Sequence, residues 1–311
     1  MPERLAVTGA NGFVGRQVTA LAARRAWTVA AVVRSAAGAR TVAAAAGEPV
    51  LVPDLAGEPL TSAFRGARAV VHLAHIGAER DGATYEAVNV AGTRRVVSAA
   101  REAGVGRVVL FSGLGVARYG QAPRVTNRYF LSKLKAELEL FRSDREAVVF
   151  RPSYIVGPGD GLTAFLLAAL ATDGVEIPGD GSYRMQPVFV EDAAEAVLAA
   201  VGSPAPLSPF APPHRVVDLA GPAPVSYRDL IHAVARAARG VGRPVHERIL
   251  EVGMADAERR ARAEGFHGLG PDDFDCLVCD EVADPRPLEA LLGRQLTPLG
   301  TALEAAVRGE P

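Results

Sequence analysis

The sequence lacks several features that mark whole classes of protein. Its 311 residues include 34 basic and 35 acidic side chains, so the formal net charge is only −1. A chain this close to neutral has no broad basic field for nucleic-acid phosphates or anionic lipid. No window reaches the roughly 18 uninterrupted apolar residues of a membrane-spanning helix, and the start at Met1 has no secretory signal. We therefore expect a soluble cytoplasmic protein that binds no nucleic acid.

Cysteine is scarce as well, with only Cys276 and Cys279 in the whole chain. Their CxxC spacing suits half a zinc site, but no second pair completes four ligands. His72 and His75 have HxxH spacing, yet on a strand they point to different faces, and no third ligand is evident. We predict no metal site and expect the two sulfurs to fill apolar space.

Apolar runs of strand length alternate with helical patterns in the first half of the chain. Strand-like runs occur at 5–8, 28–33, 50–52, 69–73, 107–111 and 147–150. Between them, apolar residues recur at spacings of three and four, most clearly in 84–103 and 128–142. Strands that are apolar throughout are typical of a parallel sheet covered on both faces. The sequence predicts an α/β fold with a doubly wound parallel sheet.

Prolines interrupt this alternation after Arg151. The run Val188–Val190 resembles a return to the sheet, a loop with five prolines spans 203–213, and a strand (216–219) and a helix (227–239) follow. This texture predicts a smaller C-terminal substrate lobe made from two insertions. We assign residues 1–157 plus 186–221 to a dinucleotide-binding domain of Rossmann type, and 158–185 plus 222–311 to the substrate-binding lobe.

Three glycines at equal spacing follow the first strand: Gly9, Gly12 and Gly15. Glycine lets the backbone approach a pyrophosphate closely, and a helix N-terminus offers unpaired N–H groups with partial positive charge. A glycine triplet alone is weak evidence, but here a strand precedes it and a helix follows it. The pattern predicts a dinucleotide site.

The end of the second strand has an arginine, Arg34, where many dinucleotide-binding folds place an acid for the ribose hydroxyls. No Asp or Glu occurs between Arg4 and Gly47. A guanidinium can pair with a 2′-phosphate through two hydrogen bonds, whereas a carboxylate would repel it. We expect NADP(H) to be favoured, with NAD(H) possible.

Tyr129 and Lys133 lie four residues apart, on one face of a predicted helix. A lysine charge nearby would lower the phenol pKa, so that the hydroxyl could pass a proton near neutral pH. Ser112 ends the fifth strand, at the carboxyl edge where open α/β sheets bind ligands. Its hydroxyl could hold a substrate carbonyl. The three side chains form a candidate catalytic set.

Together these motifs resemble the short-chain dehydrogenase/reductase superfamily, in its extended or atypical branch, which includes NAD-dependent epimerases and dehydratases. The segments that carry the resemblance are Thr8–Gly15 (TGxxGxxG), Asp54–Leu55, His72–Ala74, Asn89–Thr93 (NxxGT), Tyr129–Lys133 (YxxxK), Arg151–Pro158 (RPxxxxGP) and Val188–Asp192 (VxVxD). The match covers most of the chain.

The resemblance implies roles for these residues. Tyr129 would be the general acid or base, Lys133 would bind the nicotinamide ribose and tune the tyrosine, and Ser112 would orient the substrate. Hydride transfer to or from a carbonyl or alcohol of a small metabolite is the implied reaction. The implied cofactor contacts are Gly9, Asn11, Gly12, Phe13, Val14, Gly15, Arg34, Asp54, Leu55, Leu73, Ala74, His75, Tyr129, Lys133, Pro152, Ser153 and Ile155.

Two alternatives stay open. The segments 186–188 and 218–227 resemble the nucleotide-binding accessory subunit of respiratory complex I and its bacterial relatives, some of which bind cofactor without turnover, so a non-catalytic NAD(P)H sensor or scaffold is possible. A nucleotide-sugar epimerase or dehydratase is the other, and Arg184 is one candidate for its diphosphate. The sequence does not name the substrate, and a monomer or a homodimer is equally compatible with it.

Overall fold

The computed structural model describes residues 3–121, 124–172, 174–203 and 214–309. Its strands are β1 (Arg4–Thr8), β2 (Thr28–Val33), β3 (Glu48–Leu51), β4 (Ala69–His72), β5 (Arg107–Phe111), β6 (Glu146–Pro152), β7 (Ile155–Val156), β8 (Val175–Pro178), β9 (Arg184–Met185), β10 (Val188–Phe189), β11 (His214–Leu219), β12 (Val225–Ser226) and β13 (Ile249–Val252).

The α-helices are α1 (Phe13–Arg24), α2 (Ala36–Ala44), α3 (Gly57–Phe64), α4 (Ala91–Glu102), α5 (Arg128–Phe141), α6 (Gly161–Leu170), α7 (Val190–Gly202), α8 (Tyr227–Gly240), α9 (Met254–Ala263), α10 (Pro271–Val278), α11 (Arg286–Leu292) and α12 (Leu299–Arg308). A π-helical turn (Glu86–Val90) leads into α4, and a 3-10 turn (Leu114–Arg118) follows β5.

Seven parallel strands form the central sheet in the order β11-β6-β5-β4-β1-β2-β3. The chain winds from β1 outward to β3 and then crosses back to β4, so β1 and β4 are neighbours at the point where the winding direction reverses. Ligands of such sheets bind at the carboxyl ends of the strands that flank this point. The doubly wound Rossmann-type sheet predicted from the sequence is confirmed.

Burial on both faces explains why the inner strands β1, β2, β4 and β5 are apolar over most of their length. In β1, Val7 belongs to the core that includes α1 and α7, whereas Ala6 belongs to the core that includes α3, α4 and α5. Successive side chains of a strand point to opposite faces, so a sheet between two helical layers needs apolar residues at every position. The sheet is thereby fixed between two cores, and its carboxyl edge is held in place.

One sequence interpretation was wrong in this part of the fold. Val188–Phe189 does not join the large sheet but pairs with Ile155–Val156 in a separate two-stranded sheet, because Val190 already begins α7. The seventh strand is β11, which pairs with β6 along its whole length. The proline-rich loop of 203–213 lies, beyond Ser203, outside the described residues.

A second core belongs to the smaller lobe. It joins α6, α8, α9, α10 and α12, with the strand pairs β8–β13 and β9–β12 beside them. One C-terminal helix differs, because Leu288 of α11 is buried in the core of the large sheet. In the described ranges, no helix is both long and apolar enough to cross a membrane.

Candidate active site

The glycine turn after β1 is packed so closely that side chains would not fit. A Cβ on Gly9, whose φ is +68°, would lie 2.7 Å from the backbone nitrogen of Ala74 at the end of β4. A Cβ on Gly15 would lie 2.3 Å from the carbonyl oxygen of Gly9. Both glycines are therefore required by close backbone approach, and the turn lies directly against the neighbouring strand.

Helix α1 begins at Phe13, and no side chain caps its first turn. Its first N–H groups therefore have no partner within the helix and are available to an anion. The turn opens onto a cavity of about 560 Å³, a size typical of cofactor sites. Its lining comes from the carboxyl ends of β1, β2, β4, β5 and β6 and from α5.

Most of the residues predicted for the site line this cavity. They are Gly9, Asn11, Gly12, Phe13, Val14, Gly15, Arg34, Leu55, Leu73, Ala74, His75, Ser112, Tyr129, Pro152, Ser153 and Ile155. Two predicted residues do not line it. Asp54 is exposed, since the turn after β3 buries its neighbour Leu55 in the lining instead. Lys133 is buried beneath the cavity.

Tyr129 and Lys133 occupy successive turns of α5, which Asn127 caps by accepting a hydrogen bond from the backbone of Phe130. The Lys133 Nζ donates a hydrogen bond of 3.0 Å to the carbonyl oxygen of Phe111, at the end of β5. It lies 5.8 Å from the centre of the Tyr129 ring. The helix thus holds phenol and amine together at the edge of the cavity.

Burial changes the proton affinity of both groups. It lowers the pKa of Lys133 to about 7, against the opposing effect of Glu137. It also raises the pKa of Tyr129 above its ordinary value, with Cys276 and Glu281 adding to the effect. In this structure burial dominates, so the lowering of the phenol pKa by the lysine, expected from the sequence, does not appear.

To the lining of the cavity, Ser112 contributes a buried hydroxyl group that has no hydrogen-bond partner in the described ranges. It is 3% exposed, and its Oγ has no hydrogen-bond partner among the described residues. Its backbone N–H is fixed by the carbonyl oxygen of Phe150 on β6. An orphaned buried hydroxyl costs stability, so its retention beside Tyr129 in the cavity lining points to a ligand.

A buried polar network ties α5 to the end of β4. The side-chain amide of Asn89 binds both backbone groups of Ile76, and its Nδ2 donates 3.0 Å to the Ser132 Oγ. That hydroxyl in turn donates to the carbonyl oxygen of Tyr129. Asn89 thus fixes the position of Tyr129 relative to the sheet, which gives the NxxGT motif a physical role.

His72 joins the same region from the end of β4. Its Nδ1 lies 2.7 Å from the Thr8 Oγ1, and its Nε2 lies 3.2 Å from the Thr93 Oγ1. Burial lowers its pKa to about 3, so the ring is neutral. His72 is therefore a structural residue, whereas His75 lines the cavity, and the positive charge of Lys133 lowers the pKa of His75.

Arg34 stands at the end of β2, exposed and in the cavity lining. It forms no hydrogen bond or ion pair with any residue in the described ranges. Ser35, next to it, caps α2 by accepting from the backbone of Gly38. The guanidinium is therefore available to an anion at the end of the cavity formed by β2.

A second cavity of about 390 Å³ adjoins the first on the side of the smaller lobe. Three residues line both cavities, namely Tyr129, Tyr154 and Cys276. The remaining lining is Gly77, Gly161, Leu162, Phe165, Tyr227, Leu269, Asp273 and Leu277. This space is mainly apolar, and none of the residues that line it is basic.

Among the lining residues that the sequence analysis missed, three have side chains that can titrate: Tyr154, Cys276 and Glu281. Tyr154 lies within the RPxxxxGP motif and could have been inferred from it. Cys276 packs against the same apolar cluster as Cys279, as expected, but it also lines both cavities and accepts a 3.4 Å hydrogen bond from Asn127. Glu281 has no motif that would identify it.

Metal and diphosphate sites receive no support from the described residues. The described residues contain no group of three or more His, Cys, Asp and Glu side chains that could hold a metal. Arg184, the sequence candidate for a diphosphate, pairs instead with Asp280 through two nitrogens at 2.8 and 3.1 Å. Asp192 lies inside the first turn of α7 and accepts hydrogen bonds from Arg294 and Thr297.

Comparison with known proteins agrees with this geometry. The chain is 30% identical over 208 residues to the ceramide reductase of Caulobacter vibrioides, covering 64% of this chain and 61% of the reductase. It is 29% identical over 215 residues to the 4-hydroxy-2-methyl-3-oxo-4-farnesyl-3,4-dihydroquinoline-1-oxide ketoreductase of Stigmatella aurantiaca. This match covers 63% of this chain and 64% of the ketoreductase. The chain thus spans less than two thirds of either relative.

The fold is shared over almost the whole chain with the NAD complex of UDP-glucose 4-epimerase from Thermus thermophilus, at a TM-score of 0.74, 22% identity and 98% coverage of both chains. A family model described as NAD dependent epimerase/dehydratase family matches residues 5–209. These findings confirm the superfamily inferred from the motifs, while the likeness to the complex I subunit stays a prediction. The chain belongs to the NAD dependent epimerase/dehydratase family, a family of nicotinamide-dependent enzymes.

Proposed function

We propose that this protein is an NADP(H)-dependent ketoreductase. It interconverts a ketone and the corresponding secondary alcohol on a small, largely apolar metabolite. Tyr129 exchanges the proton, Ser112 binds the substrate oxygen, and Lys133 supports the tyrosine.

The observation that carries this proposal is the pairing of Ser112 and Tyr129 in one cavity. An orphaned buried hydroxyl and a phenol line the same space as the glycine turn, and this space adjoins the apolar second cavity. A ketone oxygen accepts two hydrogen bonds, and these two hydroxyls can supply both.

The residues of the first cavity fit a dinucleotide. The uncapped N-terminus of α1 would receive the pyrophosphate, and the close approach of Gly9 and Gly15 to backbone leaves room for it. Pro152, Ser153 and Ile155, from the end of β6 and the start of β7, line the same cavity. When bound there, the cofactor supplies the hydride to the carbonyl carbon, or accepts it from the alcohol.

Tyr129 moves the proton that balances the hydride. In the reductive direction its hydroxyl donates a proton to the substrate oxygen as the C–H bond forms, and solvent later restores the phenol. Burial favours the neutral phenol, which is the form that donates. Lys133, whose pKa is about 7, can take up a proton near neutral pH and so stabilise the transient tyrosinate.

Arg34 supports NADPH as the preferred cofactor. Its exposed guanidinium lies in the cavity lining at the end of β2. A guanidinium binds a phosphate through paired, charge-assisted hydrogen bonds. Arg34 would add little to the affinity for a cofactor that lacks the 2′-phosphate.

The second cavity supports an apolar substrate. It has aromatic and aliphatic walls and no basic side chain in its lining. The names of the two relatives, a ceramide reductase and a ketoreductase of a farnesylated quinoline oxide, agree with a ketone that has a large apolar part.

Nucleotide-sugar epimerisation is the second candidate, because the fold is that of a UDP-glucose 4-epimerase over 98% of the chain. A sugar diphosphate requires positive side chains at its binding site. The lining of the second cavity contains none, and Arg184 is engaged by Asp280. The chemistry of the cavity therefore favours the ketoreductase.

The test measures NADPH oxidation with ethyl 3-oxododecanoate and dodecan-3-one, and epimerisation of UDP-glucose in the presence of NAD. We expect oxidation of NADPH with a ketone and no epimer from UDP-glucose. Epimer formation without net cofactor turnover would favour the second candidate. Tight retention of dinucleotide with no reaction on any of the three compounds would favour a non-catalytic sensor.

A further inference from the structure

Glu281 is a buried acid in the lining of the first cavity, and the proposed reaction has not used it. It is 6% exposed and follows α10, far along the chain from Ser112 and Tyr129, which line the same space. An acidic side chain is rarely buried unless it is paired or functional.

The backbone around Glu281 is held firmly. Its N–H donates 2.8 Å to the carbonyl oxygen of Arg184, and its own carbonyl oxygen accepts 3.0 Å from the Ser153 Oγ. Asp280 binds the Arg184 guanidinium, and the N–H of Ala283 donates to the Gln186 side chain. These contacts fix the segment to β9 and to the end of β6, so the position of the carboxyl group is determined by the fold.

The carboxyl group itself is nearly unpartnered. Within the described ranges, no side chain donates a hydrogen bond to it and no cation forms an ion pair with it. The N–H of Gly115 and the charge of Arg118 favour its ionised form. Burial outweighs both and raises its pKa to about 8, so the group is mainly protonated at neutral pH.

The other titratable groups that face Glu281 come from three elements. They are Tyr129 on α5, Tyr154 after β6, and Cys276 and Cys279 at the end of α10. Burial raises the pKa of each of these four groups, so all of them are neutral at neutral pH. Apart from Arg118, the groups that face the protonated acid therefore have no charge.

We propose that Glu281 binds a second, uncharged oxygen of the substrate, close to the carbonyl that is reduced. The proposal rests on the proposed function and names its substrate class. The two lone pairs of the ketone oxygen are taken by Tyr129 and Ser112, so a third donor in the same cavity requires another substrate atom. The preferred substrates are apolar ketones with an ester, amide or hydroxyl oxygen near the reacting carbon.

The experiment compares ethyl 3-oxododecanoate, which has an ester beside the ketone, with dodecan-3-one, which has none. The measured quantity is the ratio of their kcat/KM values with NADPH. It is determined for the wild type, Glu281→Leu, Glu281→Gln and the exposed control Glu264→Leu. Thermal unfolding checks that each variant folds, and NADPH titration checks its cofactor affinity.

We expect the wild type to prefer the keto ester by at least about tenfold, the range of one lost hydrogen bond in a dry site. Glu281→Leu should lose most of this preference, Glu281→Gln should keep most of it because the amide still donates, and the control should keep the wild-type ratio. A wild-type ratio in Glu281→Leu would overturn the inference, as would a wild-type ratio near one. So would a loss of NADPH affinity in both variants at an unchanged ratio, which would assign the carboxyl to the cofactor.

The proposed function fails differently. If the wild type oxidises no NADPH with either ketone, the ketoreductase assignment is rejected, and this inference is rejected with it. If both ketones are reduced without dependence on Glu281, only the inference is rejected. The wild-type ratio needs no variant, so the proposal stays testable even if Glu281→Leu does not fold.

Discussion

The side-chain nitrogen of Lys133 lies 5.8 Å from the centre of the Tyr129 ring and donates a hydrogen bond to the carbonyl oxygen of Phe111. The amine is thus held between α5 and the end of β5. This contact fixes the phenol at the carboxyl edge of the sheet, where the glycine turn and Ser112 also lie. The proposed reaction requires the phenol, Ser112 and the glycine turn to line one cavity.

Replacing Tyr129 with phenylalanine should abolish turnover and leave cofactor binding intact. The phenyl ring preserves the packing against Tyr85, whose ring centre is 6.0 Å away, but it has no proton to give. We expect kcat to fall by about 10²- to 10⁴-fold, the range of general acid catalysis. Ketone reduction and NADPH fluorescence measure the two properties separately.

Tyr119→Phe is the matched control: among the described residues, the Tyr119 hydroxyl forms a hydrogen bond only with the carbonyl oxygen of Thr126 at 3.4 Å, and Tyr119 lines neither cavity. Activity of Tyr129→Phe within tenfold of the wild type would reject the assigned proton donor.

Ser112→Ala should lower the activity without lowering the stability of the protein. The hydroxyl has no partner among the described residues, so its removal leaves no other group unpaired. We expect the free energy of unfolding to stay the same or rise by up to about 1 kcal/mol, while kcat/KM falls by about 10- to 100-fold. Chemical denaturation and steady-state kinetics give both values.

Ser132→Ala serves as the contrast, since it breaks the bonds to Asn89 and to the Tyr129 carbonyl oxygen and should lower stability. A clear loss of stability in Ser112→Ala, with kinetics unchanged, would make Ser112 a structural residue.

Arg34→Ser should weaken the binding of NADPH and not that of NADH. Losing a charge-assisted phosphate contact costs about 1.5 to 3 kcal/mol, or about 10- to 150-fold in Kd. Arg40→Ser, on the exposed surface of α2 and outside the cavity lining, is the control. Fluorescence titration measures the Kd of each variant for both cofactors. An equal loss of affinity for NADPH and NADH would exclude a phosphate role for Arg34.

Glu281 should make stability depend on pH. Its pKa is raised from 4.5 in the unfolded chain to about 8 in the fold, so the folded state holds a proton that the unfolded state has lost. This contribution to stability is complete below pH 4.5 and is lost as the pH rises to about 8. Between pH 5 and 7 the slope approaches about 1.4 kcal/mol per pH unit.

The measurement is the difference in unfolding free energy between the wild type and Glu281→Gln across this range. Subtracting the variant removes the contributions of other groups, such as Lys133. The wild type should lose stability relative to Glu281→Gln as the pH rises. A difference that stays constant from pH 5 to 8 would show an ordinary, ionised carboxylate.

The sequence predicts the fold well wherever burial dictates every residue. Strands β2 (Thr28–Val33) and β5 (Arg107–Phe111) begin and end at the predicted residues, because burial on both faces requires apolar residues at all but the first position of each strand. The same apolar character led to the wrong assignment of Val188–Phe189 to the large sheet. A short apolar run has the same appearance in a central sheet and in a small separate pair, and only tertiary contacts distinguish the two.

Some residues of the candidate site could be predicted from the sequence, and others could not. Gly9, Ser112 and Tyr129 lie in local motifs whose spacing already indicates their chemistry. Glu281 comes from a distant part of the chain and reaches the cavity only through contacts of its backbone with Arg184 and Ser153. No periodicity or spacing records such a contact, so the acidic group that Glu281 adds to the first cavity could not be predicted from the sequence.

The most direct test of the central claim is deuterium transfer from NADPH labelled at nicotinamide C4 to ethyl 3-oxododecanoate, followed by mass spectrometry of the alcohol. With each C4 position labelled in turn, one label should appear on the carbinol carbon with the wild type and with Tyr119→Phe, and the Tyr129→Phe protein should form almost no product. An alcohol that lacks deuterium with both labels, or that Tyr129→Phe forms at the wild-type rate, would contradict the account.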